Sequence, residues 1–136
     1  GPTTQEAGSE PVVVLAGTTT PLVEFTQEAY EQALAENKKI FLMWYATWCP
    51  HCRAEQKIGQ PYLVSLNESD LIGFRVNFKD KETSVDEENL AREFGVSTQS
   101  TRIYIVDGQQ VFKTPQHYLT IKDYQDNFQK YFGVTP

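Results

Sequence analysis

Cys49 and Cys52 are the only two cysteines of the chain, three positions apart in the stretch WYATWCPHCRAEQKIG that runs from residue 44 to 59. Thiols at that spacing can close a structural disulfide, supply part of a metal site, or cycle between dithiol and disulfide. A staple across so short a loop removes little entropy from the unfolded chain. A structural zinc ion takes four ligands, and the chain offers no second Cys-x-x-Cys and no histidine pair in sequence. A metal bridging two copies through Cys49, Cys52 and His51 stays open as an alternative. The remaining reading is a redox couple, which needs one activated sulfur and a second within reach to resolve it.

The flanking residues supply what such a couple needs. An unbroken apolar run from Ile40 to Ala46 precedes the cysteines. Without alternation it reads as a central strand covered on both faces. Pro50 suits the first position of a helix, where a missing N–H is harmless. Cys49 then caps that helix and faces its free N–H groups and positive dipole end, which favour the thiolate. His51, when protonated, adds positive charge. Cys52 falls one turn further on the same face. The expectation is an exposed, activated Cys49 and a sheltered Cys52, placed where open α/β sheets bind ligands, beyond the carboxyl ends of the strands.

The elements that must position this pair follow from local signals. PVVVLAG (11–17) reads as a short edge strand and LVEF (22–25) as a second strand. Thr26 is placed to cap a helix from Gln27 to about Asn37, with Tyr30, Ala33 and Leu34 on one face. The helix from the cysteines should reach about Ile58, break at Gly59 and Pro61, and resume through PYLVSL after a kink. GFRVNF (73–78) alternates Phe74, Val76 and Phe78 against Arg75 and Asn77, which is strand spacing. Ser84 with Glu87 makes a capping box for a helix carrying Leu90, Ala91 and Phe94, stopped by Gly95. RIYIV-DG-QQVF reads as a hairpin turning at Asp107-Gly108. Thr120 caps a last helix with Tyr124, Phe128 and Tyr131 or Phe132 inward. Parallel strands with helical crossovers, followed by an antiparallel hairpin, give an α/β fold with a mixed sheet between helices.

Size and charge narrow the class. At 136 residues the chain is long enough for one domain with a hydrophobic core of its own. The first ten residues, GPTTQEAGSE, have nothing to bury and read as a flexible leader; Gly1-Pro2 has the look of a protease-cleavage remnant, and the domain is placed at 11–136. A net charge of −6 provides no basic footprint for nucleic acid or an anionic membrane. No apolar run approaches the ~20 residues that span a bilayer, so any membrane attachment is expected through a tether outside this sequence.

With the motif and the element order in hand, the chain resembles the thioredoxin-like thiol–disulfide oxidoreductases from about Leu22 to Phe132. The strand-WYATWCPHCR segment matches that family's aromatic-small-x-Trp-Cys-x-x-Cys-Lys/Arg signature. The resemblance implies a thioredoxin fold, Cys49 as the attacking sulfur, Cys52 as the resolving one, and no bound cofactor or metal. Pro50-His51 is similar to the dipeptide of periplasmic disulfide oxidases, which implies a more oxidising couple than a cytoplasmic thioredoxin. Two departures stand out. The family's buried acid six positions before the first cysteine is here Met43, which cannot relay a proton. Its cis-proline before the hairpin is here Ser100, after Gln99. A cis bond before a non-proline residue costs roughly 3 kcal/mol, so the Gln99–Ser100 bond is expected to be trans. Ser100 is expected beside the cysteines, with its hydroxyl able to bond a Cys49 thiolate or a bound substrate.

Trp48 is expected to line the site, and His51 to tune it. Arg53 either keeps the site electropositive or is an ordinary exposed helix arginine. His117, in a loop, reads as a surface histidine, and Asp86-Glu87-Glu88 as a helix N-terminus satisfying its dipole. The expected function is disulfide exchange with protein or peptide thiols and a redox partner protein, by a monomer secreted or tethered outside the cytosol of a bacterium, with the cytoplasm as the alternative location. The alternative is a metal-binding or redox-inactive accessory module on the same fold.

Overall fold

The apolar run from Ile40 becomes the middle of the sheet. In the computed structural model, which describes residues 11–115 and 117–135, β3 (Lys39–Tyr45) lies between β4 (Leu71–Asn77) and β5 (Arg102–Val106). It runs parallel to β4 and antiparallel to β5. On one side β2 (Leu22–Glu24) adds parallel to β4, and β1 (Val14–Ala16) closes the edge antiparallel to β2. On the other side β6 (Gln109–Thr114) closes the edge antiparallel to β5. The result is the expected mixed sheet, six strands in the order β1-β2-β4-β3-β5-β6. The leader of residues 1–10 lies outside the described residues.

The helices α1 (Gln27–Ala35), α2 (Pro50–Ser65), α3 (Val85–Glu93) and α4 (Ile121–Phe132) cover both faces. Because side chains alternate along a strand, β3 sends Ile40, Leu42 and Trp44 into one core, with Tyr30 and Ala33 of α1 and Leu90 and Ala91 of α3. Phe41 and Met43 enter the other, with Tyr62 and Leu63 of α2 and Tyr124, Phe128 and Phe132 of α4. Burial on both sides is why this strand shows no polar alternation.

The local signals act as written. Thr26 accepts the Ala29 N–H, and α1 stops at Ala35, just short of its expected end. Ser84 and Glu87 form both halves of the capping box. Asp107 and Gly108 take φ values of 54° and 72°, the left-handed pair that a two-residue hairpin turn requires.

The expected break in the second helix does not occur: α2 is continuous from Pro50 to Ser65 with Pro61 inside it. Proline removes a single backbone donor, and burial of Tyr62 and Leu63, the two residues that follow it, outweighs the loss. Gly59 serves closeness rather than a break. A Cβ there would stand 2.8 Å from Cζ of Tyr124, and would meet its hydroxyl more closely still. Tyr124 is 1% exposed and its hydroxyl is hydrogen-bonded to Glu55, so the ring has nowhere to go. Gly59→Ala is therefore expected to destabilise the fold by about 1–3 kcal/mol, the scale of overpacking in a filled core, as read from a urea melt. A melt unchanged within error would mean that α4 yields freely.

Candidate active site

Cys49 sits at the junction of β3 and α2 as the helix N-cap, in extended backbone geometry, with Pro50 opening the helix. Its Sγ accepts the Cys52 N–H at 3.2 Å. The sulfur thus takes the place of a capping oxygen and meets one of the donors that a helix start leaves unpaired.

Cys49 is not exposed as its place at the helix start implies. Both sulfurs are sheltered: Cys49 is 2% exposed and Cys52 5%, packed with Tyr45 and Ala46. The cap bond explains it, since a sulfur folded back over the first turn turns away from solvent. The exposed rim consists of Trp48, Pro50 and His51. Burial, then the neighbouring Cys49, pushes the Cys52 thiol up; the Ser100 hydroxyl and the Ala46 backbone pull the other way.

The loop entering the helix is clamped from two directions. Arg53 Nη1 donates to the Thr47 carbonyl at 2.7 Å, so this arginine holds the loop. The Thr47 N–H donates to Asp80 Oδ2 at 2.8 Å, and Trp48 Nε1 donates to the Lys79 carbonyl at 3.0 Å. Burial alone works against the charge on Asp80, but the Thr47 and Glu82 N–H groups and the Thr83 hydroxyl outweigh it and hold the carboxyl below its usual range.

Ser100 lies beside the cysteines, as expected, and no cis peptide occurs among the described residues. Its contact differs from the expected one: Ser100 Oγ is 3.1 Å from Cys52 Sγ, so it faces the inner sulfur. Its backbone is left-handed, with φ 71°. Gln99 is half-buried next to it.

His117 is not the ordinary surface histidine that its loop implies. Its ring lies 4.7 Å from that of His51, centroid to centroid, and its Nδ1 is 4.0 Å from Glu55 Oε1. Partial burial, then the charges of Arg102 and His51, shift its titration downward.

Beneath the cysteines lies a buried ion pair that no local pattern in the sequence announces. Met43 occupies the position of the family's acid, yet a carboxylate reaches the same interior from the helix. Glu55 and Arg102 are 3% and 0% exposed and form a two-pronged ion pair, with Arg102 Nε 2.7 Å from Glu55 Oε2. The Arg102 guanidinium also lies 4.1 Å from the centroid of the Tyr118 ring. Helical spacing carried a signal: Cys52, Glu55, Gly59, Tyr62 and Leu63 follow one inward stripe. No local pattern names Arg102 as the partner. Among the described residues no three His, Cys, Asp or Glu side chains gather as a metal site, and no helix is long and apolar enough to cross a membrane.

The thioredoxin family profile matches residues 21–127. No curated protein matches the chain. Among solved structures, Trxlp from Edwardsiella tarda is 27% identical, with a TM-score of 0.66 over 76% of this chain and 94% of that one. A thioredoxin from Schistosoma mansoni is 25% identical, with a TM-score of 0.59 over 85% and 99%. A mutant thioredoxin from Halobacterium salinarum shares the fold at 20% identity, with a TM-score of 0.65 over 89% and 98%.

Proposed function

The chain belongs to the thioredoxin family, and on that premise we propose that it exchanges disulfides with protein or peptide substrates through Cys49 and Cys52. The Cys49 thiolate attacks a substrate disulfide, forming a mixed disulfide and releasing one substrate thiol. Cys52 then attacks Cys49 Sγ, closing the enzyme disulfide and releasing the second. Run in reverse, the same two steps oxidise a substrate dithiol. The observation that carries this reading is Cys49 at the N-cap of α2 with the Cys52 N–H on its sulfur at 3.2 Å, a position that stabilises negative charge.

The couple is more oxidising than that of a cytoplasmic thioredoxin. Pro50 and His51 support this: His51 lies in the first helical turn and is exposed, so its imidazolium, when formed, favours the reduced thiolate form. Stabilising the reduced form makes the disulfide the better oxidant. Trp48 and Gln99 meet the incoming peptide, and Ser100 tunes the couple from behind. The protein works as a monomer outside the cytosol, alongside a partner protein that resets its redox state, and uses no cofactor.

Equilibration with a glutathione buffer tests the direction. The expected potential lies above that of cytoplasmic thioredoxins, and His51→Pro is expected to lower it. A strongly reducing wild-type value would move the protein to the reductase class. Thiol titration before and after mild reductant separates both from a binding module that uses the fold as a platform: a pair that never cycles would end the redox reading.

A further inference from the structure

In both directions of disulfide exchange, negative charge builds on the inner sulfur. Cys52 is the nucleophile when the enzyme disulfide closes and the leaving group when it opens. That sulfur is buried, and burial disfavours its charge. Something in the interior must offset this.

The buried carboxylate of Glu55 is already committed. Its Oε1 takes Arg102 Nη2 and the Tyr118 N–H at 2.9 Å. Its Oε2 takes Arg102 Nε at 2.7 Å and the Tyr124 hydroxyl at 2.7 Å. A carboxylate has about four lone-pair sites, and here four donors occupy them. Glu55 has no open position for a thiol proton; it is an anchor for Arg102.

Arg102 in turn reaches Ser100. Its Nη1 donates to the Ser100 carbonyl. On its other side, the Ser100 N–H donates to the Trp44 carbonyl at 2.8 Å. Both backbone polar groups of Ser100 are therefore held, at a φ of 71° that serine rarely adopts. A conformation of that kind persists only where its surroundings over-determine it. The outcome is one hydroxyl, 2% exposed as a residue and 3.1 Å from Cys52 Sγ.

We infer that Ser100 donates its hydroxyl to the developing Cys52 thiolate, and that Arg102, locked by Glu55, is the positioning residue that aims it. The inference rests on the disulfide-exchange reading above. The step balances without another reagent. Cys52 loses its proton to water and attacks Cys49 Sγ; the Cys49–substrate S–S bond breaks; the electron pair leaves on the substrate sulfur, which takes a proton from water. Ser100 keeps its own proton throughout.

The test uses the reduced full chain and an aromatic disulfide that releases a coloured thiolate. Two phases follow: mixed-disulfide formation at Cys49, then a second release when Cys52 resolves it. Ser100→Gly removes the hydroxyl yet suits the left-handed backbone, so folding is preserved. It is expected to slow the second phase, relative to the first, roughly tenfold, as for loss of a hydrogen bond to a charged group. Its pH profile should move to higher pH. Arg102→Lys should slow the second phase in wild type and add nothing in the Ser100→Gly background. If Arg102→Lys does not fold, the paired change Glu55→Met with Arg102→Met replaces it. A second phase unchanged in Ser100→Gly would refute the role of the hydroxyl. Equal slowing by the Arg102 change in both backgrounds would refute the positioning route. A missing first phase would instead remove the disulfide-exchange reading itself.

Discussion

Cys49→Ser is expected to lower the rate of disulfide exchange with a peptide substrate by roughly 10³-fold or more, the scale on which losing a nucleophile is felt. Serine oxygen can still accept the Cys52 N–H that Cys49 Sγ now accepts at 3.2 Å, so the helix cap and the fold should survive. What disappears is an ionisable sulfur at the positive end of α2. The complementary change, Cys52→Ser, should leave Cys49 reactive but unresolved, and mixed disulfides should persist long enough to be isolated. The two sulfurs are nearly equally buried, so access alone does not rank them. Position does, because Cys49 Sγ caps α2 and accepts the Cys52 N–H at the positive end of the helix, where a thiolate is favoured. Alkylation at mildly acidic pH should therefore mark Cys49 first. Mass mapping that found Cys52 modified first, or stable adducts on Cys52 in a Cys49→Ser variant, would reverse the assignment.

The second large effect is on stability. Glu55→Ala leaves Arg102, 0% exposed, with its charge buried and its carboxylate partner gone. Breaking one side of a buried pair costs about 3–5 kcal/mol, a large share of the ~5–15 kcal/mol that holds a domain of this size together. The Tyr118 N–H and the Tyr124 hydroxyl lose an acceptor as well. Replacing both charges, Glu55→Met with Arg102→Met, removes the uncompensated charge. It should therefore be less damaging than Glu55→Ala alone, since apolar replacement of a buried pair is often near neutral. Urea melts of the two variants decide the matter. A single variant as stable as the double would mean that water or a shifted side chain reaches Arg102.

Much of the architecture was readable because its causes are local. Thr26, the Ser84–Glu87 box and the Asp107-Gly108 turn act over three residues or fewer, and each did in the structure what its chemistry requires. Pro50 after Cys49 marked the helix start for the same reason. Pro61 stays inside α2 because a single lost donor counts for little beside the packing of Tyr62 and Leu63, which no local pattern encodes.

The sheet's central strand, the order of its elements and the cysteine pair at a helix N-terminus are all legible in the chain of residues. These follow from runs, periodicities and caps written within a few residues. What faces that pair from behind is set by long-range contacts. Ser100 meets Cys52 from 48 positions away, and Arg102 meets Glu55 from 47. His117 meets His51 across a loop whose path no periodicity describes. Such contacts depend on register and crossover: β5 must lie antiparallel beside β3, with Arg102 opposite Met43, before its guanidinium can reach α2. A buried charge requires a partner, but its identity is a property of chains brought together. That is why the dithiol was legible at once and the ion pair beneath it was not.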